Sequence, residues 1–329
     1  MAGVDARTVS VILFDGFELL DVFGPVEMLS LTPGITIDYT GPAAGPVTSS
    51  QGCRVVAGCG YEDLVEPDIV LVPGGGGPRK LVDVWLKPLL EIEIEQAKRG
   101  EPTAFQSHMW DGSAETLDDN IKLAVELLAM SKKANTILEI EIGAVGGEED
   151  GIKGEENASL YTTADDAWAA VEALGLGENG RYTTALTFGN VHGAYKPGHV
   201  KLRPELLGEI QADVAKRLGD RLATKVGDKK TPFDLVMHGG SGSTAEEIAT
   251  AVRNGVIKMN VDTDTQYAFT RPVADHMFKN YDGVLKIDGE VGSKKAYDPR
   301  AWGKAAEKGM AARVVEACER LGSVGSAKR

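Results

Sequence analysis

Two of the five histidines stand where apolar runs end, and glycine follows each: His192 in F-G-N-V-H-G-A-Y-K-P-G (188–198) and His238 in H-G-G-S-G-S (238–243). Neutral imidazoles from neighbouring strand ends can share one zinc ion. A single strand-end histidine is more often a hydrogen-bonded structural residue; two in the same setting favour a shared site. The glycines of 238–243 lead into a helix starting near Thr244, so bare N–H groups and a helix N-terminus form an anion nest. K-M-N-V-D-T-D-T (258–265) ends another run with Asn260, Asp262 and Thr263. These groups suit sugar hydroxyls or a phosphate, or else they cap the helix that follows.

The third constellation is acidic. In T-I-L-E-I-E-I (136–142), Glu139 and Glu141 share one face, because strand side chains alternate with period two. A carboxylate pair aimed into a protein interior needs a cation, a proton or a hydrogen-bond donor. The next segment, G-G-E-E-D-G (146–151), reads as a mobile glycine-hinged loop. It is either an exposed acidic turn or a lid delivering a glutamate onto a metal-bound hydroxyketone.

These residues need strands that end in one place. Apolar β-branched runs predict strands at 8–14, 35–39 and 68–72, a short one at 53–57, and a helix over 21–31. From residue 83 the pattern predicts helix 83–98, strand 103–108, helix 115–131, strand 136–142 and helix 164–174. Strand 182–188 with helix 203–218, strand 233–237 with helix 244–253, and strand 256–261 with helix 264–279 follow. Helix 301–320 closes the chain, and 219–232 reads as a solvated loop. Five strand–helix units in a row mean parallel strands, and a barrel places its chemistry at their C-terminal ends.

Composition bounds the rest. The 329 residues carry 35 Lys and Arg against 49 Asp and Glu, a net charge of −14, which argues against nucleic acid or an anionic membrane as the main partner. Three cysteines, Cys53, Cys59 and Cys318, are too few for a disulfide framework, and no C-x-x-C pair suggests a zinc ribbon. The first apolar run is too short for a signal sequence or membrane span, so a cytoplasmic location is expected.

Residues 83–322 resemble class II, zinc-dependent fructose-bisphosphate aldolases of the actinobacterial type. The resemblance is carried by F-Q-S-H-M-W-D-G-S-A (105–114), L-E-I-E-I-G-A-V-G-G-E-E-D-G (138–151) and the two glycine-rich histidine motifs. V-I-K-M-N-V-D-T-D-T-Q-Y-A-F-T-R-P (256–272) and Y-D-P-R (297–300) continue in family order. The resemblance implies His192 and His238 as zinc ligands, with Asp111 and Glu141 at an alternative, more buried metal position. It implies Glu149 as the base that takes a proton from the hydroxymethyl carbon of dihydroxyacetone phosphate. Gly193, Gly239, Ser241, Asp262 and Thr263 fall where the family holds substrate phosphate and a monovalent cation. Asn260 matches the residue that contacts the enediolate, and Arg300 the one that reaches the far phosphate. Zinc polarises the ketone, so that a carboxylate base near neutral pH suffices. The expected partner is a phosphorylated sugar, fructose 1,6-bisphosphate, and family members are homo-oligomers.

The family's H-T-D-H-C strand end, source of a third zinc histidine and of the aspartate that protonates the aldehyde oxygen, does not occur in this sequence. In its place, residues 8–80 resemble the start of the PfpI-type, class I amidotransferase-like superfamily. V-I-L-F-D-G-F-E-L-L-D-V-F-G-P-V-E-M-L (11–29) and D-I-V-L-V-P-G-G-G-G (68–77) carry this likeness. Glu18 and Asp21 match the region of its acidic active-site residue, but Cys53 and Cys59 precede the position of its elbow nucleophile. The expected architecture is therefore a (β/α)8 TIM-barrel-like hybrid. Residues 1–82 supply three strands of a flavodoxin-like parallel sheet, and residues 83–329 supply five aldolase units. The expected activity is zinc-assisted cleavage of fructose 1,6-bisphosphate, strongly reduced or absent. The alternative is a catalytically silent hybrid or engineered chimeric scaffold that keeps a phosphate nest and a partial metal site.

Overall fold

The structure is a computed structural model that describes residues 6–63, 67–75, 82, 86–103, 105–113, 115–143, 146–149, 152–154, 160–192, 201–227, 231–285 and 292–326. Within that set, the side chains of residues 62, 146–149, 152–154 and 192 also lie outside the description. The chain is mixed α/β and divides into two compact units. One comprises Met1–Trp110 with Glu126–Leu138, the other Asp111–Val125 with Glu139–Arg329.

The first unit is built on a parallel sheet. Strand β1 (Arg7–Ile12) pairs in parallel with β2 (Ile35–Gly41) on one side and β6 (Ile69–Leu71) on the other. Helix α1 (Leu19–Ser30) connects β1 to β2. Its central place explains the uninterrupted apolar run: Val9, Val11 and Leu13 are fully buried, and Ser10 and Ile12 on the other face nearly so. A hairpin of β3 (Gly45–Thr48) and β4 (Arg54–Ala57) follows, and β5 (Cys59–Gly60) adds to the free edge of β2. At the C-terminal end of β1, the Glu18 carboxylate accepts from Gln51 Nε2 at 2.7 Å and Ser50 Oγ at 3.2 Å, while Asp21 Oδ2 accepts from Gly74 N–H at 2.9 Å. Gly75 bridges Phe17 there, and a Cβ on it would lie 2.4 Å from the Gly16 carbonyl oxygen. Only glycine allows that approach.

Helix α2 (Lys87–Lys98) and strand β7 (Ser107–Trp110) complete this unit, together with the C-terminal part of α3 (Leu117–Ala134). Strand β7 begins later than the expected 103–108. Fully buried Glu93 of α2 explains the shift: its Oε1 accepts the Phe105 N–H at 3.1 Å and its Oε2 meets His108 Nε2 at 2.7 Å. The turn before β7 is thus tied to a helix side chain instead of a ladder partner.

The second unit carries the remaining strands side by side in chain order, β8 (Ile137–Ile142, from Glu139 on), β11 (Tyr182–Leu186), β13 (Leu235–Met237) and β14 (Val256–Met259). The β11–β13 and β13–β14 pairs are parallel. Helices α4 (Ala164–Leu174), α5 (Glu205–Leu218), α6 (Ala245–Arg253) and α7 (Thr263–Lys279) alternate with them. Short α8 (Tyr281–Val284) and α9 (Lys294–Tyr297) lead to the long α10 (Pro299–Arg320). Helices α4 and α6 start at the capping boxes of Thr163 and Thr244.

Two expectations change. The segment read as an acidic loop contains β9 (Gly146–Glu149), which pairs antiparallel with β10 (Ile152–Gly154) and parallel with β12 (Val191–His192). A strand with a partner on each side stands where a hinge was expected. The segment 219–232, read as a solvated loop, is exposed over most of its described residues, but it contains a 3-10 helix over Gly219–Thr224 and a buried Lys225 whose Nζ lies 3.1 Å from Asp234. Among the described residues, no helix is long and apolar enough to cross a membrane.

Replacing Glu93 by Ala removes the acceptor of a buried amide and a buried imidazole, and is expected to lower stability by about 3 kcal/mol. Urea unfolding of the two proteins checks this. A loss below about 1 kcal/mol would show that water already reaches the pair.

Candidate active site

Strand β8 buries both of its faces: Leu138, Ile140 and Ile142 on one, Glu139 and Glu141 on the other, each glutamate 3% exposed. Two ionised carboxylates so enclosed demand positive charge or donors. Both come from strands further along the sheet. His238, at the end of β13, places Nε2 2.9 Å from Glu139 Oε1 and Nδ1 3.3 Å from Glu141 Oε2. Lys258, on β14, places Nζ 2.8 Å from Glu139 Oε2. Asn190 fixes the backbone here, its Nδ2 donating to the His238 carbonyl at 3.1 Å.

A neutral imidazole has one N–H, so a ring facing two ionised carboxylates donates to both when it is doubly protonated. Electrostatics agree. Burial alone would push His238 down, but the hydrogen bond to Glu139 and the charges of Glu141 and Glu139 outweigh it, and its pKa rises. Burial alone would raise Glu139, but hydrogen bonds and charge from His238 and Lys258 prevail, and its pKa falls.

The glycine-rich loop follows directly. Gly239 has φ of +62°, and a Cβ there would lie 2.4 Å from the Val191 carbonyl oxygen, so glycine is required. Ser241 is buried, and its Oγ accepts the Asp264 N–H at 3.1 Å. Ser243 Oγ is buried without a hydrogen-bond partner among the described residues. Helix α6 then begins at its Thr244 cap. Alongside, Asn260 is bound through its backbone, donating to Met237 O at 2.9 Å and accepting from Gly240 N–H at 3.0 Å. Asp262 and Thr263 are exposed at the start of α7, with Asp262 Oδ2 accepting from Gln266 Nε2.

Other expected residues lie apart or outside the description. Asp111 sits in the turn before α3, its Oδ1 accepting from Ser113 N and Oγ. The link from that turn to β8 is Asn120, which donates to the Glu141 carbonyl at 2.8 Å. Arg300, at the start of α10, is 81% exposed and folds onto Asp298, whose carboxyl its hydrogen bonds hold down at about 2. The imidazole of His108, on β7, is engaged by Glu93. Gly193 and the side chains of His192 and Glu149 lie outside the described residues.

The zinc expectation can be tested against this donor set. Among the described residues, no three His, Cys, Asp or Glu side chains form a group able to hold a metal. Both nitrogens of His238 face carboxylates, and the ammonium of Lys258 already answers the charge of Glu139. The described side chains alone do not make a zinc site, and His192, the other expected imidazole, has its side chain outside the description. Sequence reading had paired the two glutamates correctly but missed Lys258; the signal was a lone cation inside the apolar strand V-I-K-M.

Comparison with known proteins defines the class. Residues 91–326 match the class-II fructose-bisphosphate aldolase family, and residues 7–105 match the DJ-1/PfpI family. A fructose-bisphosphate aldolase of Streptomyces coelicolor is 64% identical over 248 residues, covering 75% of this chain and 71% of that protein. One from Corynebacterium glutamicum is 58% identical over 247 residues, covering 75% and 70%. The crystal structure of fructose-bisphosphate aldolase from Campylobacter jejuni superposes with a TM-score of 0.59 at 30% identity, over 91% of this chain and 74% of that one. The chain belongs to the class-II fructose-bisphosphate aldolase family and carries a DJ-1/PfpI segment at its N-terminal side.

The charge cluster has a pH signature in metal-free protein. His238, raised in the fold, stabilises fully below its ordinary value of 6.5, and that stability is lost as pH rises through the raised value. Glu139, lowered, stabilises above 4.5, and that is lost as pH falls through the lowered value. His238→Gln is therefore expected to remove the alkaline decline. Urea unfolding at stepped pH with a chelator present reads this, and identical alkaline declines in both proteins would contradict the assignment.

Proposed function

We propose that this protein recognises phosphorylated sugars through the loop 238–243 and the strand end 260–263, and that it cleaves fructose 1,6-bisphosphate far more slowly than its relatives do. Family membership and the 64% identity to a fructose-bisphosphate aldolase support the reaction class. The observation that carries the phosphate half is the loop itself: a left-handed Gly239, a buried Ser241 and a capped helix start in succession. In this reading Glu149 is the proton acceptor at the hydroxymethyl carbon of dihydroxyacetone phosphate, and Arg300 serves the far phosphate.

Slow turnover follows from what residues 1–82 replace. They stand where the aldolase pattern has its first three strand–helix units, and with those units goes H-T-D-H-C. Losing a general acid typically costs about 10²–10⁴-fold. Without a third imidazole, and with His238 held by Glu139 and Glu141, retention of zinc is weakened as well. The silent-hybrid reading keeps the same phosphate nest and differs only in having no turnover.

Zinc content after dialysis and a coupled cleavage assay test the proposal together. The expected result is less than one zinc per chain and turnover at least about 100-fold below the Streptomyces coelicolor relative. Stoichiometric zinc with ordinary turnover would overturn it. Zero turnover with intact phosphate binding would leave the silent hybrid standing. Ser241→Tyr is expected to abolish phosphate binding in either case.

A further inference from the structure

The loop that closes the anion nest is held from behind by a helix far along the chain. Asp264, in the first turn of α7, donates its N–H to Ser241 Oγ at 3.1 Å and accepts the Gly242 N–H on Oδ2 at 3.3 Å. That same Oδ2 accepts from Arg313 Nη2, on α10, at the shorter distance of 3.0 Å. The Arg313 side chain is only 12% exposed; its Nε lies 3.8 Å from Glu316, and its Nη1 is buried without a partner among the described residues. One helical turn away, Gly309 meets Ala268 so closely that a Cβ would lie 2.3 Å from the Ala268 carbonyl oxygen. The pairs 264–313 and 268–309 thus run in opposite senses, one turn apart, and set α10 against α7 in a fixed register.

A carboxylate behind an anion site is a liability. Its charge repels the ligand at short range, and it already holds the Gly242 N–H of the loop. Arg313 answers both effects by neutralising Asp264 and taking hold of the same oxygen.

We infer that Arg313 is a positioning residue for phosphate binding, acting through Asp264 to keep the 239–243 loop receptive to an anion it never touches. This rests on the phosphate reading proposed above.

A double-mutant cycle with inorganic phosphate as the probe, followed by isothermal titration calorimetry on the full chain, tests it. Arg313→Met is expected to weaken phosphate binding about tenfold, and Arg313→Lys, which keeps the charge, by less than about threefold. In an Asp264→Asn background there is no charge to cancel, so Arg313→Met is expected to cost less than about threefold. A tenfold loss in both backgrounds would overturn the inference, since Arg313 would then act directly or by general disruption. Unchanged affinity of Arg313→Met in the native background would overturn it too. If Arg313→Met does not fold, Gly309→Ala carries the test by wedging α10 away from Ala268 with every charge retained. Weakened phosphate binding is expected, and unchanged affinity would sink the inference. Absence of phosphate binding by the unsubstituted protein would bring down the phosphate reading itself, whereas the other failures leave that reading intact.

Discussion

Burying Glu139 and Glu141 on one face of an interior strand is the constraint to which the rest of the second unit answers. The period-two alternation that pairs the carboxylates also removes them from water, and neither can remain charged there alone. His238 and Lys258 must therefore reach back from later strands of the same sheet. The sheet's order is what makes this feasible: β8, β11, β13 and β14 lie side by side in chain order, so strand ends widely separated in sequence share one edge. The result is a ring held on both nitrogens, with a lysine completing the charge balance.

The end of β13 fixes two adjoining stretches of chain by different means. His238 is fixed by side chains of opposite charge, in low dielectric, where each interaction is strong and hard to rearrange. The residues immediately after it are fixed through the backbone instead: Gly239 by a left-handed turn against Val191, and Gly240 by a bond to Asn260. Such bonds set the path of the loop without any side chain of its own. An imidazole held by carboxylates and a backbone-fixed glycine turn therefore adjoin, each fixed by its own set of partners.

Much of this architecture was legible in the residues. Uninterrupted β-branched runs marked strands buried on both faces, and Glu139 and Glu141 could be placed together from spacing alone. Helices α4, α6 and α7 came out within a residue of their pattern, because capping boxes and acidic first turns announce their starts. What spacing could not show depended on partners distant in sequence. Lys258 looks like an ordinary strand residue until β8 lies three places away in the sheet, and Arg313 looks like one more charge on an exposed helix until Asp264 is in reach. The 146–154 segment misled for a different reason. Its glycines and acids have the composition of a mobile turn, yet glycine also permits the close backbone approach by which β9 meets both β10 and β12.

The place where the two family patterns meet follows the same logic. Residues 91–105 belong to both matches, and in the structure they hold most of α2 and the approach to β7. A helix followed by a strand is the repeating unit of any parallel α/β protein, so a crossover inside one preserves the local pattern on either side. The requirement it must still meet is a sealed interior at the junction. Glu93 meets it by satisfying a backbone amide and an imidazole at once, from a position where the helix would otherwise bury an unpaired charge. Local pattern is continuous across the overlap, and Glu93 supplies the buried acceptor that the turn after α2 requires. Neither condition involves the ends of β11, β13 and β14, whose local structure is set by their own sheet neighbours and helix caps.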